Sequence, residues 1–146
     1  MKIQTKLSIV SVCLAWTSLT LAQTSPNPLS AGQKVIYGIV KNNIVKGAEK
    51  MPEENYSFKP TPEVRSFGQL VGHVADAQYL FCSAADGEKN PSPDIEKTKT
   101  SKADLVQALK DGFSYCDKVY DGMTDAKAAQ MVKFFGRESA KLTVLS

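Results

Sequence analysis

Apolar residues recur at helical spacing in three stretches of the chain. In the first, from about Ala31 to Lys50, Val35, Ile36, Ile39, Val40, Ile44 and Ala48 fall on one side of a helix, and Ser30 is placed to cap its start. Gly32, Gly38 and Gly47 weaken that helix locally. The second stretch follows Ser66, with Gln69 completing a capping box, and runs to Asp86 ahead of a Gly87 stop. Phe67, Leu70, Val71, Val74, Ala77, Gln78, Phe81, Ala84 and Ala85 gather on one side of it, with Leu80 and Cys82 at the edges. The third begins at Ser101 with Asp104 and runs to about Asp121, carrying Leu105, Val106, Leu109, Phe113, Cys116 and Tyr120 on one face.

The segments between these helices differ in kind. Met51 to Arg65 contains Pro52, Pro60 and Pro62 and reads as an irregular connection, with Thr61-Pro62-Glu63 turning into the second helix. Gly87 to Thr100, with Pro91 and Pro93, reads as a loop, and Lys97, Lys99 and Lys102 as a solvated basic run. Near the end, Thr124 to Gly136 is ambiguous in pattern, with a short helix over Ala126 to Phe135 as one reading. Ser139 is expected to cap another over residues 140–145 that has barely begun at Ser146. Three amphipathic helices need a fourth surface to enclose one core, so the expectation is an all-α four-helix bundle whose fourth helix is incomplete. The sequence then reads as a fragment, the alternative being a naturally fraying tail.

The start of the chain changes the picture. Lys2 and Lys6 precede an uncharged, mostly apolar run from Leu7 to Leu21, and Thr20-Leu21-Ala22 has the small-x-small form of a cleavage site. Residues 1–22 are therefore expected to be an export signal, leaving a single domain over residues 23–146 in the periplasm or secreted. The run is short for a membrane span, so no stable span is expected after cleavage; a retained N-terminal anchor is the alternative. Cys13 lacks the small residue that precedes a lipidated cysteine. Cleavage removes two lysines, so the formal charge of +3 falls by two to +1, which gives no electrostatic case for nucleic acid. Trp16, the one tryptophan, leaves with the signal. The sequon Asn55-Tyr56-Ser57 counts only in a eukaryotic secretory pathway.

Candidate chemistry centres on His73, the one histidine of the chain. The pattern places it inside the apolar arc of the second helix, near the Leu80 edge, with Asp76 just beyond. One reading is a core-edge imidazole hydrogen-bonded to a backbone carbonyl or to Asp76. The other is a metal ligand, since neutral imidazole is the commonest protein ligand for such ions. A single ligand does not make a site, because zinc-type sites need three or four. Ser83 and Ser114 have no second histidine to act with, and no glycine-rich phosphate loop is present.

The run G-Q-L-V-G-H-V-A-D-A-Q-Y of the second helix, preceded by P-T-P-E-V-R-S-F, resembles the DinB-like four-helix bundles of the DinB superfamily. F-C-S and Y-C-D, around Cys82 and Cys116, resemble its exported members in particular. The resemblance runs from about Leu29 to the end of the chain. It implies a three-histidine site for a divalent metal (zinc, nickel or iron), with His73 in the position of the helix-two ligand. The other two ligands are expected on the last helix as H-x-x-x-H, beyond Ser146, so this chain alone offers too few ligands to hold the metal. Asp76 would at most orient the ligand from behind. Studied relatives include metal-dependent transferases and isomerases that use low-molecular-weight thiols, so the implied partner is an unknown small molecule, with a thiol as one class that export counts against, because an exported protein meets less reduced thiol; hydrolysis by a metal-activated water is the other chemistry considered.

Two other functions compete with that reading. One is a non-catalytic exported helical module that binds an unknown partner. The other is a truncated remnant that is either poorly stable or completes its bundle by association with another copy, as a homodimer. For the cysteines, the residues leave both a bridge and two core thiols open. Residues 87–100 could span about 45 Å when extended, enough to run back along a helix of about 30 Å. The crossed-over family bundle implies the same course. The second and third helices are thus expected to be parallel, with Cys82 and Cys116 at the same level. For the leader, mass spectrometry of the exported protein should place the N-terminus at or within a few residues of Gln23; an intact Met1 in the soluble exported product would contradict the cleavage.

Overall fold

A computed structural model of the chain describes residues 26–146, and the expected leader, with Cys13 and Trp16, lies outside the described residues. Three long helices dominate: α1 (Pro28–Lys50), α2 (Phe67–Asp86) and α4 (Lys102–Gly122). A 3-10 turn (Glu53–Ser57) follows α1, and a single turn, α3 (Ile95–Thr98), lies in the crossover between α2 and α4. The chain ends in a short helix α5 (Asp125–Ala128), a hairpin of β1 (Met131–Phe134) and β2 (Arg137–Ala140), and a last turn α6 (Lys141–Val144). The all-α class holds, with the hairpin as an addition.

Local chemistry explains the helix ends. Ser66 Oγ accepts from the Gln69 N–H while Gln69 Oε1 accepts from the Ser66 N–H, a complete capping box. Gly87 closes α2 at φ 83°, a left-handed conformation that suits glycine. Ser101 Oγ accepts from the Asp104 N–H to start α4. The N-terminus of α1 is served differently. Asp125 accepts from the N–H groups of Leu29 (3.2 Å) and Ser30 (2.8 Å), and the Asp125 N–H donates back to Asn27 Oδ1. The Ser30 N–H, with that of Leu29, holds the Asp125 carboxyl below the usual carboxylate range.

The core is built on α4. Its Leu105, Leu109, Phe113 and Cys116 are fully enclosed. α2 runs parallel to α4 and meets it through small residues. A Cβ on Gly112 would lie 3.1 Å from the Ala75 carbonyl oxygen, and a Cβ on Gly72 would lie 2.8 Å from Glu96 Cα and 3.2 Å from Leu105 Cδ2. Near the far end the two helices are joined by a Cys82–Cys116 disulfide with a Cα–Cα distance of 5.4 Å. The expected parallel course and common level are therefore observed, and the open question of the bond is settled in its favour. α1 lies antiparallel to α4. Tyr37 stacks on Tyr120 at 4.0 Å between ring centroids, and its hydroxyl lies 2.9 Å from the Phe113 carbonyl oxygen.

Several boundaries differ from expectation. α1 starts at Pro28, and Ser30 is not its cap but a buried first-turn residue. Its apolar stripe is largely uncovered among the described residues. Ala48 is buried and Ile44 half-buried, but Val35, Ile36 and Ile39 are about 60% exposed. The loop after α2 contains α3. In the ambiguous stretch over residues 124–136, helix α5 stops at Ala128 and gives way to β1, and Ser139 lies in β2 opposite Val132 instead of capping a helix. The hairpin turn Phe135-Gly136 has φ of 47° and 77°, the positive pair of a tight hairpin turn. Phe-Gly lacks the Asn or Asp that usually announces such a turn.

Two stability predictions follow from this packing. Reducing the disulfide, which spans 34 residues, should lower the unfolding free energy by about 3–4 kcal/mol on the loop-entropy relation. Urea titrations with and without reductant measure this, and identical midpoints would contradict it. Separately, Gly72→Ala should destabilise the fold. Overpacking against backbone costs about 1–3 kcal/mol and outweighs a helix-propensity gain of up to ~1 kcal/mol. Gly38→Ala, where a Cβ meets open space, should be neutral or stabilising in the same assay.

Candidate functional site

Viewed down its axis, α2 has two apolar sides. Gly68, Val71, Gly72, Ala75, Cys82 and Ala85 form the buried one. Leu70, His73, Ala77 and Leu80 form a second stripe on the solvent side, with Leu70 48% and Leu80 37% exposed. His73 stands nearly opposite the centre of the buried face, with its side chain half exposed. This corrects the expected inward imidazole. The sequence pattern merged two apolar sides into one arc, and it gave no weight to the glycines that mark the true contact face.

The imidazole is not free on that stripe. His73 Nδ1 lies 3.1 Å from Glu96 Oε2, and Arg65 Nε donates to Glu96 Oε1 at 2.6 Å. Arg65 comes from the lead-in to α2 and Glu96 from α3, so three segments converge. The Arg65 guanidinium is the leading cause that holds the Glu96 carboxyl below its usual range, and His73 adds to it. Asp76 does not touch the imidazole, contrary to one reading of the sequence. Its Oδ1 accepts from the Ile95 N–H and its Oδ2 from the Glu96 N–H, each at 2.8 Å. A carboxylate on α2 thus caps the turn that presents Glu96.

Glu96 escaped the sequence reading because it sits in a proline-containing loop. The usable signal was Asp94-Ile95-Glu96, a helix-start pattern inside a loop too long to be structureless. Glu96 also borders two open clefts. One, of about 800 Å³, includes Arg65, Gln69 and Leu70. The other, of about 610 Å³, includes Tyr56, Lys99 and Lys102. The lysine run is not wholly solvated, because Lys102 Nζ donates to the Met51 carbonyl oxygen at 2.8 Å.

Over residues 40–146 the chain matches the DinB superfamily. It belongs to that superfamily. A crystal structure of a DinB-like protein from Bacillus cereus ATCC 10987 superposes with a TM-score of 0.69 at 16% identity, covering 79% of this chain and 77% of that one. That likeness shows the shared fold. No curated protein sequence is significantly similar to the chain.

Within this DinB-like fold the donor set is small. Among the described residues, no three His, Cys, Asp or Glu side chains converge in a way that would hold a metal ion. His73 and Glu96 supply one imidazole and one carboxylate, short of the three or four ligands of a zinc-type shell. No catalytic step follows from these two alone. Ser83 is buried and donates to the Leu80 carbonyl oxygen, so it is not a nucleophile awaiting a base. Among the described residues no helix is long and apolar enough to cross a membrane.

Proposed function

We propose that residues 1–22 are an export leader and that residues 23–146 form an exported DinB-like bundle, periplasmic or secreted, in which His73 is one ligand of a divalent-metal site. The observation that carries this reading is the state of the imidazole. Nδ1 is engaged by Glu96, while Nε2 has no hydrogen-bond partner among the described residues and the ring is half exposed. Metal-bound histidines commonly have this arrangement, with one nitrogen on a carboxylate and the other on the ion. The remaining ligands would come from outside residues 26–146. Zinc, nickel or iron suits an imidazole ligand, and a completed site would serve a metal-dependent transferase or hydrolase acting on a small molecule, a thiol being the class that the resemblance implies. The disulfide supports export, since such bridges persist in oxidising compartments.

A second reading, a non-catalytic exported binding module or self-associating bundle, is favoured by a different observation. Among the described residues, Val35, Ile36, Ile39 and Val40 leave an apolar stripe along α1 uncovered, and such patches mark interaction surfaces. Titration with Zn²⁺ or Ni²⁺ separates the readings. Residues 23–146 should bind weakly, through His73, and His73→Ala should abolish the binding. Binding that survives this substitution would refute the metal-ligand reading. An absence of binding together with a dimer in sedimentation would favour the second.

A further inference from the structure

We propose that Glu96 sets the tautomer of His73. Its carboxylate accepts the Nδ1–H and leaves Nε2 as a lone-pair donor to an incoming divalent cation. Glu96 is therefore a positioning residue.

The argument begins with what each group can donate or accept. Arg65 Nε donates to Glu96 Oε1 at 2.6 Å. A carboxylate held ionised by a guanidinium has acceptors only. The contact between Glu96 Oε2 and His73 Nδ1 at 3.1 Å is then a hydrogen bond only if Nδ1 carries the proton. A neutral imidazole has one N–H, so Nε2 is left bare, and it has no partner among the described residues.

The geometry is held in place from α2 itself. Asp76 accepts both leading amides of α3 at 2.8 Å, so its hydrogen bonds hold α3 while the carboxylate on the imidazole is that of Glu96. The bare Cα of Gly72 lets the Glu96 backbone lie against α2. Gly72, His73 and Asp76 occupy one turn of α2, and all three address α3. The helix thus fixes α3 through Asp76, and α3 returns Glu96 to fix the imidazole.

The assignment deepens the metal-ligand reading and takes its purpose from it, but it is measured without metal. The chain has one histidine, so long-range proton–nitrogen correlation spectra contain one imidazole. In metal-free protein at about pH 9 the Nδ1–H form should predominate. In Glu96→Ala the Nδ1–H to Nε2–H ratio should fall by about tenfold or more, the loss of one charge-assisted hydrogen bond. Asp76→Ala, which frees α3 without touching the imidazole, should lower it in the same direction. Arg65→Ala should leave Nδ1–H in the majority, since Glu96 remains ionised at that pH.

A wild-type spectrum dominated by Nε2–H overturns the proposal whether or not the variants fold, and so does a ratio unchanged in folded Glu96→Ala. Zn²⁺ then separates the two claims. Ring signals that ignore zinc while the tautomer preference holds refute the metal-ligand reading alone. Ring signals that respond to zinc with no tautomer preference refute the role of Glu96 alone. Where both hold, Glu96→Ala should weaken zinc binding by about 10–100-fold.

Discussion

Two helices that lie side by side in the same direction cannot be joined by a short turn, and the parallel pairing of α2 with α4 governs the rest of this molecule. The pair is close because small residues meet at the interface, with Gly112 against Ala75 and Gly72 beside Leu105. It is held in register near its C-terminal end by the Cys82–Cys116 bridge. The chain leaving Gly87 must therefore travel back along nearly a full helix length before α4 can begin. That return journey brings α3 to the N-terminal half of α2, beside Gly72, His73 and Asp76. The polar cluster at His73 is a consequence of helix direction, since an antiparallel pair would have no crossover there and no Glu96.

The same economy of contact operates at the other end. The start of α1 is capped by Asp125, almost the whole domain away in sequence, and Asn27 returns the bond. The last turn is tied down by Tyr120, whose hydroxyl donates to the Leu145 carbonyl oxygen at 2.6 Å, and by Gln33 on the same oxygen. Buried aromatic hydroxyls need such partners. Burial, more than the neighbouring Asp117, pushes the Tyr37 hydroxyl well above its usual range, so it serves as a neutral donor that joins α1 to α4. These polar links close a fold whose first helix buries little of its own apolar stripe among the described residues.

Much of this was legible in the residues, and what was missed has physical reasons. Ser66 with Gln69, Ser101 with Asp104 and the Gly87 stop each name a helix end through side-chain chemistry that acts over three or four residues. The parallel course could be argued from loop length. The orientation of His73 could not, because periodicity counts apolar side chains and α2 packs through glycine and alanine. A helix with apolar residues on two sides yields one broad arc, and the sequence does not say which side meets a partner. Asp125 escaped notice because it acts on a group 95 residues away, a distance that no local spacing rule reaches. Glu96 escaped because its helical turn lies inside a proline-containing loop. The hairpin was hidden by its Phe-Gly turn, which reaches positive φ without the residues that usually signal it.

The position of His73 constrains anything that occupies this side of α2. Leu70, Ala77 and Leu80 around it are apolar and partly open to solvent, so covering them is favourable at about 25 cal/mol per Å². Covering them also buries the imidazole. Its Nδ1 is already satisfied by Glu96, but Nε2 would lose water, and an unsatisfied buried polar atom costs about 1–3 kcal/mol. A purely apolar occupant would gain from the leucines and lose at the histidine that lies between them on the stripe. The better occupant brings apolar surface together with a group that takes the Nε2 lone pair, either a hydrogen-bond donor or a metal ion with ligands of its own. Leu70, His73 and Leu80 therefore set a joint physical constraint, in which cover for the leucines has to come with a partner for the imidazole.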